Sequence, residues 1–261
     1  MASTESLKDF SLDGKGAIVV GAERSVGRAA AITLAEAGAN VLLASQNPGT
    51  EKELKDAAKQ IQSAGGQAVV RVQNAAVRAD LSATADMAVR ELGGLNILVN
   101  AVDCPVYGPA EGADDSVFDN VIENNLKTVW MACNEMARVM IRQGGGTIVN
   151  ITSILGRRGV PNAALYCAAQ AGVLNLTRAL ALEWARKGVR VNAITAGWMD
   201  DELSPAKGKD EFSRNLIKYL PSNRLVKPEE LGGALLYLVS PAAGFVTGES
   251  IAVDGGLLCR V

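Results

Sequence analysis

The stretch that decides the fold is Ala17-Ile18-Val19-Val20, followed by Gly21-Ala22-Glu23-Arg24-Ser25-Val26-Gly27-Arg28. A short aliphatic run without polar alternation is typical of a parallel strand buried on both faces. The glycine-bearing turn leads into a predicted helix, and the N–H groups of such a turn can cradle a pyrophosphate. Two glycines six positions apart are a weak signal alone, so the prediction depends on the rest of the chain.

The same unit recurs to the end of the chain. Strict alternation of strands and helices predicts an α/β fold, namely a single-domain, Rossmann-type, doubly wound parallel sheet of about seven strands with helices on both faces. The predicted strands are 17–20, 41–44, 68–72, 97–99, 148–151, 189–194 and 250–253, and the predicted helices are 25–37, 51–64, 81–92, 116–142, 163–186 and 228–238.

No linker or repeat interrupts this pattern, so we predict one domain over residues 1–261 with an N-terminal tail at 1–11. Only the segment 198–228 departs from the alternation of strands and helices. It is long and charged, and it contains one short predicted helix around 211–219. It follows the sixth strand, at the edge where open α/β sheets bind ligands. We therefore predict a lid-like substrate loop, with a solvated surface excursion as the alternative.

Composition excludes several classes of protein. With 48% hydrophobic and 21% charged residues, the chain can bury a core and is not of the disordered class. A net charge of -2 lacks the basic excess of a nucleic-acid binder. No apolar stretch approaches the roughly 18 residues of a membrane span. The first ten residues lack an apolar region typical of a secretory signal, so we predict a cytoplasmic protein without nucleic-acid or membrane partners.

The chain contains no histidine. This excludes Ser-His-Asp and Cys-His nucleophile systems and metal sites that depend on imidazole. The four cysteines, Cys104, Cys133, Cys167 and Cys259, are widely spaced, so we predict buried free thiols with no disulfide framework and no metal site. Proton chemistry in this chain must come from Tyr, Lys, Asp, Glu or Ser.

Three positions and one motif carry a family resemblance. Ser153 follows a predicted strand, Tyr166 comes thirteen residues later on a predicted helix, Asn125 lies in Glu-Asn-Asn-Leu-Lys, and Asp254-Gly255-Gly256 lies near the end of the chain. Together they resemble the short-chain dehydrogenase/reductase family, from about residue 12 to residue 256. The resemblance implies a nicotinamide cofactor and a Ser-Tyr-Lys-Asn relay, with Tyr166 as general acid/base, Ser153 positioning the carbonyl or hydroxyl group, and Asn125 as the fourth member.

The lysine of that relay is missing. The family places it four residues after the tyrosine, one turn along the same helical face, where this chain has Gln170. In the family this lysine holds the ribose and lowers the tyrosine pKa. An unperturbed tyrosine has a pKa of about 10, so on the order of one in a thousand is ionised at pH 7. Gln170 brings no charge, and Arg157 and Arg158 are nearby in sequence without a spacing that aims them at Tyr166. The relay is therefore predicted to be vestigial.

The implied cofactor site also departs from the family. The family turn T-G-x-x-x-G-x-G reads Val20-Gly21-x-x-x-Ser25-x-Gly27 here, and the serine Cβ intrudes where the backbone approaches the pyrophosphate. A carboxyl group at Asp103 would repel phosphate at close range. The predicted cofactor-binding positions, which form a degenerate set, are Gly21, Arg24, Ser25, Gly27, Ser45, Asn74, Asn100 and Asp103.

Three functions are compatible with these residues. The first is a non-catalytic pseudoenzyme that binds no cofactor and supports a catalytic paralogue carrying NAD(P), in a heterotetramer of two plus two subunits. The chain resembles the inactive subunit of such a dehydrogenase, one type of which serves anaerobic toluene degradation and oxidises a hydroxy(phenyl)methyl-succinyl-CoA. The second is an active NAD(P)-dependent oxidoreductase with a divergent Ser-Tyr relay. The third is a Rossmann-fold ligand sensor.

The first function is favoured because the helices that form a dimer interface in the family keep apolar residues here. We predict that these residues contact the partner subunit: Val121, Val129 and Met136 on one helix, and Ala164, Ala168, Ala171 and Leu174 on the other.

Overall fold

Seven parallel strands form the centre of the computed structural model, which describes residues 8–74, 77–201 and 211–260. In spatial order they are β3-β2-β1-β4-β5-β6-β7. This confirms the predicted Rossmann-type sheet and each predicted strand. Their bounds are β1 (Gly16–Val20), β2 (Asn40–Ser45), β3 (Ala68–Val72), β4 (Ile97–Asn100), β5 (Gly146–Ser153), β6 (Val189–Ala196) and β7 (Ser250–Val253).

Helices cover both faces of the sheet. They are α1 (Ser25–Glu36), α2 (Glu51–Ser63), α3 (Arg78–Leu92), α4 (Asp115–Ile122), α5 (Thr128–Arg142), α6 (Ala164–Trp184), α7 (Glu211–Tyr219) and α8 (Gly232–Val239). Successive strand residues point to opposite faces, so Ile18 joins the core under α3, α5 and α6, whereas Val19 joins the core under α1, α2 and α8. None of the helices in these described ranges is long and apolar enough to cross a membrane.

The helix predicted over 116–142 is interrupted. A π-helical turn, Glu123–Lys127, separates α4 from α5. Asn125, in the middle of this turn, is 1% exposed, and its amide bonds to the backbone of Cys104 in the segment after β4. Such turns occur frequently at functional sites. The periodicity of the sequence does not distinguish one long helix from two helices joined in this way.

The predicted interface residues are partly wrong. Val121, Val129, Met136 and Leu174 are buried inside the chain itself, each no more than 4% exposed, so they are not available to a partner. Ala164, Ala168 and Ala171 do lie on the outer face of α6, and Leu182 on the same helix is 83% exposed. An apolar helical face has the same sequence pattern whether it packs on its own sheet or on another chain.

Two predicted segments extend beyond the described residues. Residues 1–7 of the predicted tail and residues 202–210 of the predicted substrate loop lie outside them. In the described part of that loop, α7 coincides with the helical piece predicted at 211–219. Met199 forms an isolated parallel bridge with Val226, which joins the two ends of the loop.

Candidate active site

A cavity lies at the carboxyl edge of the sheet, near the paired strands β1 and β4, where the strand order reverses. Open α/β sheets bind ligands at such a switch point. The cavity has a volume of about 90 Å³, well below the roughly 300–1,000 Å³ of typical small-molecule sites. Its lining includes Asp103, Tyr107, Ser153, Tyr166, Gln170, Trp198 and Asp201.

The turn from β1 into α1 depends on two glycines. Gly21 has a φ of +86°, and a Cβ there would lie 2.5 Å from the carbonyl oxygen of Ala101. A Cβ at Gly27 would overlap the carbonyl oxygen of Gly21. The backbone of the turn therefore requires both glycines, independently of any nucleotide.

Ser25, at the position of the family's middle glycine, bonds to the chain itself. Its hydroxyl donates to Oδ2 of Asp201 over 3.0 Å. Arg24 is the N-cap residue of α1 and makes no capping bond with its side chain. A carboxyl group of this chain therefore lies at the N-terminus of α1, where the family resemblance implies a pyrophosphate.

The hydroxyl of Ser45 is used by its own turn. Ser45 is fully buried, and its Oγ accepts from the backbone N–H of Asn47 over 3.0 Å and from the hydroxyl of Thr50 over 2.7 Å. Asn47 in turn donates to Oε1 of Glu23 over 2.7 Å. A ribose-binding carboxylate stands at this place in dinucleotide-binding folds. In this chain the hydrogen bond from Asn47 to Glu23 instead joins the turns that follow β2 and β1.

The two predicted asparagines have different surroundings. Asn100 is 1% exposed at the end of β4, and its amide donates to Oδ1 of Asn150 over 2.8 Å and to Sγ of Cys133 over 3.3 Å. It therefore points into the protein between β4 and β5. Asn74 is exposed after β3, and its backbone N–H donates to the Asp80 carboxylate.

Ser153 and Tyr166 meet at the cavity, as the family relay requires, but Tyr166 is bonded to Asp103. The phenol donates to Oδ1 of Asp103 over 2.5 Å, across 63 positions of sequence. Ser153 ends β5, and its Oγ accepts from the backbone N–H of Leu155 over 3.2 Å. Asn125 instead holds the segment that carries Asp103, through its bonds to Cys104. The catalytic roles of these residues stay predictions.

The electrostatic environment opposes ionisation of Tyr166. Burial raises its pKa well above the usual 10, and the charge of Asp103 and the bond to it raise the pKa further, while the Ser153 hydroxyl lowers it. Desolvation of its carboxyl group also raises the pKa of Asp103, against the effects of Tyr166 and Arg24, but the residue as a whole is exposed, so water screens this shift. A general base needs the reverse shift, since the family lysine lowers the tyrosine pKa.

No cation replaces the missing lysine among the groups that shift the Tyr166 pKa. Gln170 is 2% exposed, and its Oε1 accepts from the backbone N–H of Ser153 over 3.2 Å. Arg157 donates to the carbonyl of Ser250, and Arg158 donates to the carbonyls of Leu257 and Arg260. Both arginines therefore bind the C-terminal part of the chain.

We predict that Asp103→Asn stabilises the protein more at pH 7 than at pH 4. A carboxyl whose pKa is raised by folding binds protons more strongly in the folded state, so its contribution to stability falls as pH rises above its unfolded pKa of about 3.9. The neutral amide removes this loss. Urea unfolding at the two pH values measures the difference, whose size is limited by solvent screening because Asp103 is an exposed residue. An equal effect at both values would contradict the prediction.

Two features of this site were not predicted from the sequence. Asp103 was expected to repel phosphate but not to bond to Tyr166, and Asp201 was not distinguished from the other charged residues of its segment. The only available signal was the position of each residue after a strand end, since carboxyl ends of parallel strands meet at one edge. In the described ranges, no group of His, Cys, Asp or Glu is arranged to hold a metal ion.

Comparison with known proteins gives consistent similarities over nearly the whole chain. A family model described as enoyl-(acyl carrier protein) reductase matches residues 20–258. The chain is 37% identical over 241 residues to the cis-4-hydroxycyclohexanecarboxylate dehydrogenase of Sinomonas cyclohexanicum, covering 92% of this chain and 95% of that protein. It is 31% identical over 243 residues to a 3-oxoacyl-(acyl-carrier-protein) reductase of Staphylococcus aureus, covering 93% and 98%.

Solved structures show the same fold. A gluconate 5-dehydrogenase from Burkholderia cenocepacia, in complex with NADP and tartrate, has a TM-score of 0.91 at 32% identity, covering 98% of this chain and 100% of that one. A 7α-hydroxysteroid dehydrogenase complexed with NADH and 7-oxo glycochenodeoxycholic acid has a TM-score of 0.90 at 31% identity, covering 96% of each.

Proposed function

We propose that this chain, which belongs to the short-chain dehydrogenase/reductase family of oxidoreductases, is the non-catalytic subunit of a heteromeric NAD-dependent alcohol dehydrogenase. In this assignment the hydride transfer takes place in a paralogous partner, and this chain supports the partner's fold. The fold and the family are common to its enzymatic relatives, so the proposal depends on the residues of this chain's own site.

The bond from Tyr166 to Asp103 carries the proposal. In a relay, the phenol must donate its proton to substrate oxygen or take one from it, which requires contact with substrate. Here the phenol donates to a carboxyl group of the chain over 2.5 Å. Its pKa is raised, and Gln170 supplies no charge to lower it. Proton transfer at neutral pH is therefore disfavoured in both directions.

We also propose that this chain binds no nicotinamide cofactor, and that NAD(P) binds in the partner subunit. The cavity of about 90 Å³ is well below the roughly 300–1,000 Å³ of typical small-molecule sites. The bond between Ser25 and Asp201 occupies the turn where phosphates would lie. Glu23, tied to Asn47, adds a carboxylate to the same turn.

The partner is proposed to be a catalytic paralogue in a heterotetramer of two plus two subunits. The outer face of α6 supports this, because small residues such as Ala164, Ala168 and Ala171 let a second helix approach closely. For the substrate we propose a hydroxyacyl-CoA of the hydroxy(phenyl)methyl-succinyl-CoA kind, on the family resemblance alone.

An active NAD(P)-dependent oxidoreductase is the second candidate. The named relatives favour it, since they are dehydrogenases and reductases, and the two similar structures hold NADP and NADH. The placement of Ser153 and Tyr166 on one cavity also fits it. The two candidates differ in whether this chain binds nucleotide and in whether Tyr166 does chemistry.

The first test concerns nucleotide binding. We expect calorimetry on the isolated chain to detect no binding of NAD or NADP at physiological concentrations, because carboxyl groups stand where the phosphates would lie. The partner alone is the positive control. A dissociation constant in the low micromolar range for this chain would favour the active oxidoreductase.

The second test concerns Tyr166. We expect no turnover by this chain alone, and Tyr166→Phe should leave the rate of the native complex unchanged, because the phenol is bonded to Asp103 and not to substrate. The equivalent change in the partner's tyrosine is the matched control and should abolish the rate. A fall of about a hundredfold on changing Tyr166 would mean a loss of roughly 2.7 kcal/mol of transition-state stabilisation in this site, and the proposal would be wrong.

A further inference from the structure

The contact between Asp201 and the N-terminus of α1 resembles that of a bound anion. The first N–H groups of a helix lack intrahelical partners and attract negative charge. Arg24 caps α1 without a side-chain bond. Ser25, the first residue of the helix, donates its hydroxyl to Oδ2 of Asp201 over 3.0 Å. A carboxyl group of the chain thus lies against the first residue of α1, next to the N–H groups that bind phosphate in this type of turn.

Backbone bonds hold Asp201 in this place. Asp201 lies in the segment that follows β6, and at the start of this segment the N–H of Gly197 donates to the carbonyl of Val253 over 3.0 Å. Val226 N–H donates to the carbonyl of Trp198, and Asp200 N–H donates to the carbonyl of Val226. The approach of Asp201 to α1 is therefore supported from the neighbouring strand β7 and from the far end of the same loop.

The charges around the cavity do not favour a second anion. Asp103 and Asp201 both line it, and each acts electrostatically on the other's side of the cavity, since Asp201 raises the pKa of Asp103 while Arg24 lowers it. A dinucleotide would add two phosphate charges beside these two carboxyl groups. Like charges a few ångströms apart repel by about 1 kcal/mol even in water, and by more in a partly buried site.

We propose that Asp201 is a built-in substitute for the cofactor phosphate, and that Asp201 and Asp103 together determine that this site rejects phosphate-bearing ligands. The Rossmann scaffold itself, including Gly21 and Gly27, remains shaped for a nucleotide. The electrostatic part of the exclusion therefore resides in two removable side chains. The inference rests on the proposed function, since it gives the cause of the missing cofactor.

The test replaces both carboxyl groups in the full chain by Asp103→Asn and Asp201→Asn, which keep side-chain volume. NADH, NADPH and inorganic pyrophosphate are the probes, and calorimetry is the measurement. The double variant should bind each probe at least about tenfold more tightly than the unaltered chain, and added salt should weaken the pyrophosphate binding. Asp200→Asn, an exposed neighbour that does not line the cavity, is the matched control and should leave the affinities unchanged.

Two results would overturn the inference: a double variant that melts like the unaltered chain but binds no more tightly, or an equal gain from Asp200→Asn. If the double variant does not fold, Asp201→Asn alone gives the test, because it keeps the bond between Tyr166 and Asp103. Its affinities must then rise, or the inference is wrong. The proposed function fails separately, if the unaltered chain itself binds NADH in the low micromolar range. A further gain on removing the carboxyl groups would still support the inference in that case.

Discussion

Ala168→Glu is expected to separate this chain from its catalytic partner and to abolish the partner's activity with it. Ala168 is exposed on the outer face of α6, between Ala164 and Ala171. A permanent interface of the kind proposed buries more than about 2,000 Å² and has an apolar centre. An unpaired carboxylate there should cost about 3–5 kcal/mol, enough to dissociate most of the complex at micromolar concentrations. Native mass spectrometry and the rate of the mixture measure the two effects.

The matched control is Ala64→Glu. Ala64 is exposed at the end of α2, on the opposite face of the sheet from α6, so the same change in charge should leave assembly and rate intact. The isolated Ala168→Glu chain should unfold at the same temperature as the unaltered chain, since its side chain points outward. If the catalytic paralogue keeps full stability and rate without this subunit, the supporting role is wrong.

Gly27→Ala is expected to destabilise the fold by about 3 kcal/mol or more, a large effect for one methyl group. Gly27 lies in the first turn of α1, where helix propensity alone would favour alanine by up to about 1 kcal/mol. The new Cβ would overlap the carbonyl oxygen of Gly21, and neither backbone can move away without shifting α1 from β1. Urea unfolding of the two proteins without added nucleotide measures the difference.

Gly233→Ala is the matched control, because Gly233 lies near the start of α8 and a Cβ there would meet nothing within 4 Å. It should leave the stability unchanged or raise it by up to about 1 kcal/mol. Opposite signs for the two changes would show that the glycine turn is retained for steric reasons. A Gly27→Ala protein as stable as the unaltered chain would instead mean that the turn can adjust. The presence of glycine at position 27 would then have to be explained by contact with a ligand.

Hydrophobic periodicity was enough to predict the sheet. Runs such as residues 17–20 and 41–44 have no polar alternation, and only a strand covered on both faces tolerates this pattern. The position of the site followed from the same prediction, since parallel strands place their carboxyl ends, with Ser153 and Asp103 beyond them, at one edge. The missing lysine at Gln170 was visible because it depends only on spacing along one helix.

The sequence by itself thus determined the fold, the family and the loss of the relay lysine, because each depends on residues close together in the chain. Only the tertiary structure decided where the remaining polar groups are directed. The bond from Tyr166 to Asp103 spans 63 positions, and the bond from Ser25 to Asp201 spans 176. Both depend on the path of loops whose side chains carry no periodic signal. Burial was decided in the same way, since Val129 faces the chain's own core while Ala168 faces outward, and the pattern of a helix defines its apolar face without saying what covers it.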